Sequence, residues 1–183
     1  NQLSGAKVNF IDADIHTFKN LNNNYFDLIV SISVLEHVTN FPLLLNKFKK
    51  ILHKSGFLLH RYGHFWSEEG AHSLGNLDAP WLHAILKMNE IERYLKLIRP
   101  YEYKFCTDWI NNCLNKEINS AYVQRELIKN KFSILCWHES KNYQKRLQYL
   151  SPKVVGQVLR SNPQLSLSDL LCSDTTFLSS NIK

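Results

Sequence analysis

No G-x-G-x-x-G run occurs anywhere in the 183 residues, and glycine itself is scarce, at six. The glycine-rich phosphate cradle of dinucleotide and P-loop folds is therefore missing from this sequence. Cysteine is sparse. Cys106, Cys113, Cys136 and Cys172 form no C-x-x-C pair, which excludes a disulfide framework and the common zinc ribbons and leads us to expect a reducing, cytoplasmic setting. Long apolar runs are lacking too. The longest, Leu28 to Leu35, is interrupted by Ser31 and Ser33 and falls far short of the ~20 residues of a membrane helix. The opening residues, Asn1 to Gly5, show no basic stretch followed by an apolar core, so no signal peptide is expected. They also lack an initiator Met, from which we expect a chain that begins inside a longer protein. Acidic residues number 16 against 22 Lys and Arg, a net charge of +6 that permits an anionic ligand without requiring nucleic acid. What is present is ordinary for a globular chain: 44% apolar and 21% charged residues, in a length that suits one domain over 1–183.

Residues 7–62 are the most legible. Lys7 to Asp12 alternates and predicts a short strand. Phe26 to Ile32 is β-branched and nearly continuous in apolar character, the pattern of a strand buried on both faces of a parallel sheet. Phe41, Leu44, Leu45, Phe48, Ile51 and Leu52 fall on one face of a helix, with Asn40 as N-cap, Pro42 in the first turn and Gly56 as the stop. Phe57 to Tyr62 predicts the next strand. Strand, helix, strand over this span is a βαβ crossover, which binds ligands beyond the carboxyl ends of its strands.

Beyond Tyr62 the pattern loosens. Residues 63–130 read as an aromatic and helical insertion, with helices over 80–98 and 107–130, the second capped by Thr107 or Asp108. Residues 131–183 read as C-terminal strands and a helix: a strand at Phe132–Trp137, a helix over 143–160, and a last strand near Asp174–Leu178.

The string Phe26-Asp27-Leu28-Ile29-Val30-Ser31-Ile32-Ser33-Val34-Leu35-Glu36-His37-Val38 resembles the fourth strand and following helix of class I S-adenosylmethionine-dependent methyltransferases, in particular the type 11 branch. Phe10-Ile11-Asp12-Ala13-Asp14-Ile15 resembles the end of that family's third strand, and Ile51-Leu52-His53-Lys54-Ser55-Gly56 its Leu-Lys-x-Gly-Gly element, with Ser55 at the first glycine. The resemblance implies an α/β, Rossmann-like, doubly wound and mostly parallel sheet. It also implies S-adenosylmethionine as cofactor and a small-molecule or sugar- or lipid-linked acceptor. The family's glycine-rich loop and its ribose-binding acidic residue have no counterpart. The sequence therefore reads as an N-terminally truncated fragment with an unpaired sheet edge and weak cofactor binding, or none.

By matching position, Asp14 would accept from the adenine amino group and the Ile15 amide would donate to the ring. Ser31 and Ile32 would face the cofactor's amino-acid end through their backbone. His37 stands four residues past Ser33, on the same helical face, and histidine is a residue type suited to a general base. His72, in a segment resembling one that lies over the acceptor pocket, is the second catalytic candidate. His60, His64, His72 and His83, with Glu68 and Glu69, match no zinc spacing, so no metal ligand is assigned. A metal-using branch places Glu-x-x-Glu-His at this junction, but the first Glu is Ser33 here. Two alternatives stand beside the enzyme: a non-catalytic remnant or binding domain with the same fold, and a His/Glu metal-dependent enzyme.

Overall fold

The computed structural model describes residues 7–19, 21–141 and 148–181. Four strands form one sheet: β1 (Phe26–Ile32), β2 (Leu52–Gly63), β3 (Phe132–Lys141) and β4 (Cys172–Asn181), in the order β1-β2-β4-β3. β1 and β2 are parallel, with Ile29 opposite Leu58 and Ile32 opposite Arg61. β4 runs antiparallel to both β2 and β3. The sheet is thus mixed rather than mostly parallel among the described residues, because its last two strands meet in opposite senses.

Between β1 and β2 runs helix α1 (Phe41–Ile51). The Asn40 side chain accepts from the Leu43 N–H, and Pro42 occupies the first turn, where a missing N–H costs nothing. Phe41, Leu44, Leu45, Phe48 and Ile51 are buried against Leu35, Leu58, Tyr62 and Phe177 of the sheet side. The helix ends at Ile51 without a glycine stop. Gly56 lies inside β2, where a Cβ would sit 2.9 Å from the Asp27 carbonyl oxygen. Its role is close strand approach, not helix termination.

The expected strand over residues 7–12 does not form, and these residues pair with nothing in β1. Phe10 is 95% exposed. Alternation alone, without a neighbouring strand to bond to, does not fix extended backbone. The expected burial of β1 on both faces fails because one face of the β1–β2 pair is left uncovered among the described residues: Leu28, Val30 and Ile32 are 49%, 50% and 65% exposed, and Phe57 and Leu59, opposite Leu28 and Val30 on β2, are exposed too.

The insertion breaks each predicted helix. The span 80–98 divides into α2 (Leu82–Ile85) and α3 (Met88–Ile98), because the Lys87 N–H turns to the Glu90 carboxylate at 2.8 Å and starts a new helix. The span 107–130 begins earlier, as α4 (Tyr103–Asp108), runs into a π turn (Trp109–Cys113), breaks, and resumes as α5 (Ser120–Lys129), capped by Asn119. The break is made by tertiary bonds: the Asn115 amide donates to the Glu36 carbonyl at 2.7 Å, and the Asn115 side chain to the Val38 carbonyl at 2.6 Å. Helix α6 (Pro152–Ser161) covers only the later part of the predicted 143–160 helix, whose start lies outside the described residues, and α7 (Leu167–Leu171) precedes β4. Helices α2 to α4, α6 and α7 enclose a second apolar cluster around Trp66, Trp81, Leu95 and Leu170. No described helix is long and apolar enough to cross a membrane.

Residues 64–72 coil through successive tight turns, with Ser67 bonded to His64, Gly70 to Ser67 and His72 to Glu69. At Gly70 a Cβ would fall 1.8 Å from the Phe65 carbonyl oxygen. Gly70→Ala is therefore expected to destabilise the fold by about 2 kcal/mol or more. Chemical denaturation would measure it, and a loss under about 0.5 kcal/mol would contradict the close approach.

Three histidines are structural. Burial holds the His60, His64 and His83 imidazoles neutral, with pKa lowered to about 4 in each. Unfolded, each would take a proton near pH 6.5, so between about pH 6.5 and pH 4 the unfolded chain binds more protons. Stability is therefore full above that window and falls as pH drops through it, by on the order of 2 kcal/mol per histidine between pH 7 and pH 5. Urea melts at the two pH values provide the check; equal stability would show that these rings do not enter the folded core.

Candidate functional site

β1 and β2 point their carboxyl ends the same way, and the chain leaves both toward one place. After Ile32 the backbone turns at Ser33, which takes a positive φ of 55° while its N–H still donates to the Arg61 carbonyl at 2.9 Å. A 3₁₀ turn, Leu35–His37, follows and carries Glu36 inward to 4% exposure. One Glu36 carboxylate oxygen, Oε1, accepts from the Gly63 N–H at 3.3 Å, at the end of β2. The other, Oε2, is buried without a hydrogen-bond partner.

His37 donates from Nδ1 to the Cys113 carbonyl at 2.6 Å, and His72 from Nδ1 to the Gly70 carbonyl at 3.2 Å. In the neutral form of each ring the lone pair then lies on Nε2. The two ring centres are 5.4 Å apart, and the Trp109 ring lies 5.3 Å from His37 and 5.9 Å from His72. Trp109 also donates from its indole to the His72 carbonyl at 2.9 Å, which fixes the loop. One ligand atom each from Glu36, His37 and His72 lies within 4.8 Å of the other two. The group borders a cavity of about 340 Å³ whose wall includes Ser33, Glu36, Arg61, Gly70 and His72. Arg61 is paired there with Asp174 at 3.0 Å.

The two catalytic candidates from the sequence thus meet, although 35 positions separate them. The four cofactor candidates do not gather in the same way. The Asp14 carboxylate accepts from the His16 N–H at 2.8 Å, closing a local turn on an exposed loop. Ile15 packs on the core. Ser31 Oγ is bonded to His60, and the Ile32 side chain faces outward. No hydrogen bond joins the first pair to the second among the described residues. Ile15 and Val30 do share one apolar groove of about 330 Å³, with Ile11, Phe18 and Phe48.

His60, His64 and His83 lie apart from this group, each with its own partner: Ser31, Thr175 at 2.7 Å and the Phe65 carbonyl at 2.6 Å. Sequence reasoning did not anticipate Glu36 as an inward carboxylate or Trp109 as the wall behind both imidazoles. Glu36 is adjacent to His37, so a 3₁₀ turn was the missing signal. Trp109, in a π turn, had none.

Residues 1–60 match a methyltransferase domain family. No curated protein matches the sequence. The fold is similar to an S-adenosylmethionine-dependent methyltransferase from Mesorhizobium loti, with a TM-score of 0.50, 16% identity, and 91% of this chain aligned to 66% of that one. It is also similar to a putative S-adenosylmethionine-dependent methyltransferase from Listeria monocytogenes, with a TM-score of 0.51, 12% identity, and 93% of this chain aligned to 68% of that one. The chain spans about two-thirds of the length of each. The first third of the chain thus matches a methyltransferase domain family, and its fold is similar to that of S-adenosylmethionine-dependent methyltransferases.

Proposed function

We propose that this chain supplies the acceptor half of an S-adenosylmethionine-dependent methyl transfer to a small-molecule or sugar- or lipid-linked acceptor. The observation that carries the reading is the convergence of His37 and His72 beyond the carboxyl ends of two parallel strands, the edge at which open α/β sheets bind ligands. The methyl group would pass in line from sulfonium to the nucleophile, the C–S electron pair staying on sulfur. Such a reaction asks the protein for positioning and for removal of water around a cationic donor. The cavity beside Glu36 and His72 has the volume for part of a small acceptor, and its wall is polar where the acceptor would need orienting. His37 and His72, each with a free Nε2 lone pair, are the groups that would act on the acceptor. Asp14 and Ile15 would hold the adenine, and the backbone at Ser31 and Ile32 the amino-acid end.

The absence of a glycine-rich loop supports weak cofactor affinity for this chain alone. It also favours a second reading, a domain that keeps the fold without the cofactor. Titration of labelled protein with S-adenosylhomocysteine, followed by NMR, separates the two. We expect a Kd on the order of 1 mM, about −4 kcal/mol, with shifts clustered at residues 13–15 and 31–33. Shifts confined elsewhere, or none at 10-fold higher ligand, would favour the cofactor-free domain. Low-micromolar binding would overturn the expectation of weak affinity.

A further inference from the structure

We propose that Glu36, His37 and His72 form a binding site for a divalent metal ion of the zinc, cobalt or manganese kind. The argument is one of donors and acceptors. Glu36 presents a buried carboxylate oxygen, Oε2, that accepts no hydrogen bond. His37 and His72 spend their Nδ1–H groups on the Cys113 and Gly70 carbonyls, so as neutral rings both can offer Nε2 as a ligand. One ligand atom from each of the three residues lies within 4.8 Å of the other two, a spacing that a cation can gather.

The set has the chemistry of a metal centre. Two imidazoles and one carboxylate suit borderline divalent ions, and three protein ligands leave positions open for water or substrate. Tetrahedral coordination at about 2.0–2.2 Å would draw the ligand atoms to about 3.3–3.6 Å from one another, a contraction that side-chain torsions can supply. The surroundings are those of a held ligand set. Both imidazoles have their second nitrogen pinned by a backbone carbonyl, and Glu36 Oε1 is bonded to the Gly63 N–H. Trp109 packs on both rings. His60, His64 and His83, committed to other partners in the core, do not compete.

The site deepens the function proposed above, and its substrate half rests on that reading. The open positions adjoin the cavity, so the ion would bind a hydroxyl oxygen of the acceptor and lower its pKa. The hydroxyl proton leaves to solvent, the oxygen forms its bond to the methyl carbon, and the carbon–sulfur bond breaks with its electrons on sulfur. A histidine that binds the ion cannot also take that proton, so the ion does the work of a base. The acceptor class is accordingly an alcohol, phenol or sugar hydroxyl.

The test is direct and contains no nucleoside. Chelator-treated protein is titrated with Co²⁺, followed by visible absorption, and with Zn²⁺ by calorimetry. We expect a single equivalent to bind, with a visible spectrum of nitrogen and oxygen coordination. Glu36→Gln, His37→Ala and His72→Asn should each weaken binding on the order of 10–100-fold, while His53→Ala, at an exposed position on β2, should not. Circular dichroism of each variant guards against misfolding. Absence of binding at millimolar metal, or binding that all three variants leave intact, overturns the site. Because no cofactor is present, this outcome is independent of whether residues 13–15 and 31–33 bind a nucleoside.

Discussion

Parallel pairing of β1 with β2 is the constraint on which the rest of the molecule depends. Two parallel strands need a crossover, and α1 supplies it by burying one apolar stripe against the sheet. Parallel sense also means that both strands end on the same side. Ser33 to His37 leaves β1 there, and the coil of residues 64–72 leaves β2 there. Were the pair antiparallel, Glu36 and His72 would emerge at opposite ends of the sheet. The pairing is tied at its exit by the Ser33–Arg61 backbone bond and by the Glu36–Gly63 bond. The same contacts that end the strands therefore place the site residues.

The opposite side of β1 tells the complementary story. Its outer edge carries no neighbour among the described residues, and one of its faces, with Leu28, Val30 and Ile32, is exposed. An apolar edge of this kind is a liability in a free protein. The groove shared by Ile15, Phe18 and Val30 continues the same apolar surface onto the segment before β1. The composition of β1, apolar in nearly every position, suits a strand covered on both faces. Local composition and local burial thus disagree on one face of the β1–β2 pair, where Phe57 and Leu59 of β2 are exposed as well, and they agree along the buried stripe of α1.

That disagreement shows what could be read from the sequence. The crossover was legible because periodicity and N-capping agreed: Asn40 caps, Pro42 follows it, and the stripe from Phe41 to Ile51 is buried as its spacing requires, whereas the expected stop at Gly56 lies inside β2. The final strand, expected near Asp174–Leu178, runs longer, from Cys172 to Asn181. The strand at 7–12 was not, since extended backbone needs a partner that alternation cannot reveal. Helix breaks at Leu86 and at 114–119 depend on bonds made by Glu90 and Asn115 to distant or reversed backbone groups, and no local propensity reports these. Of the candidate site, His37 and His72 were named from the rule that ligands bind beyond strand ends and from the family resemblance, and Glu36 stood in the Glu-x-x-Glu-His pattern, though its inward direction is set by a 3₁₀ turn. Trp109 was not legible, because a π turn sets its direction.

The histidines show how one residue type is divided between core and site. On β2, side chains alternate, and His60 and Tyr62 point to the buried face, while His64, just past the strand's end, is buried as well. There His60 stacks on Phe48 and His64 on Tyr62, ring centres 5.5 and 5.2 Å apart. Buried rings of this kind serve best uncharged, and desolvation keeps them so. His72 escapes this fate only because the strand has ended. Gly63 closes β2, and the turns through Gly70 carry the chain back over the exit of β1, where His37 and Glu36 wait. His60, three residues before the end of the strand, is packing, and His72, nine residues past that end, lies beside His37 and Glu36 at the candidate site. Position relative to the strand end, not histidine content, therefore decides which rings can carry chemistry.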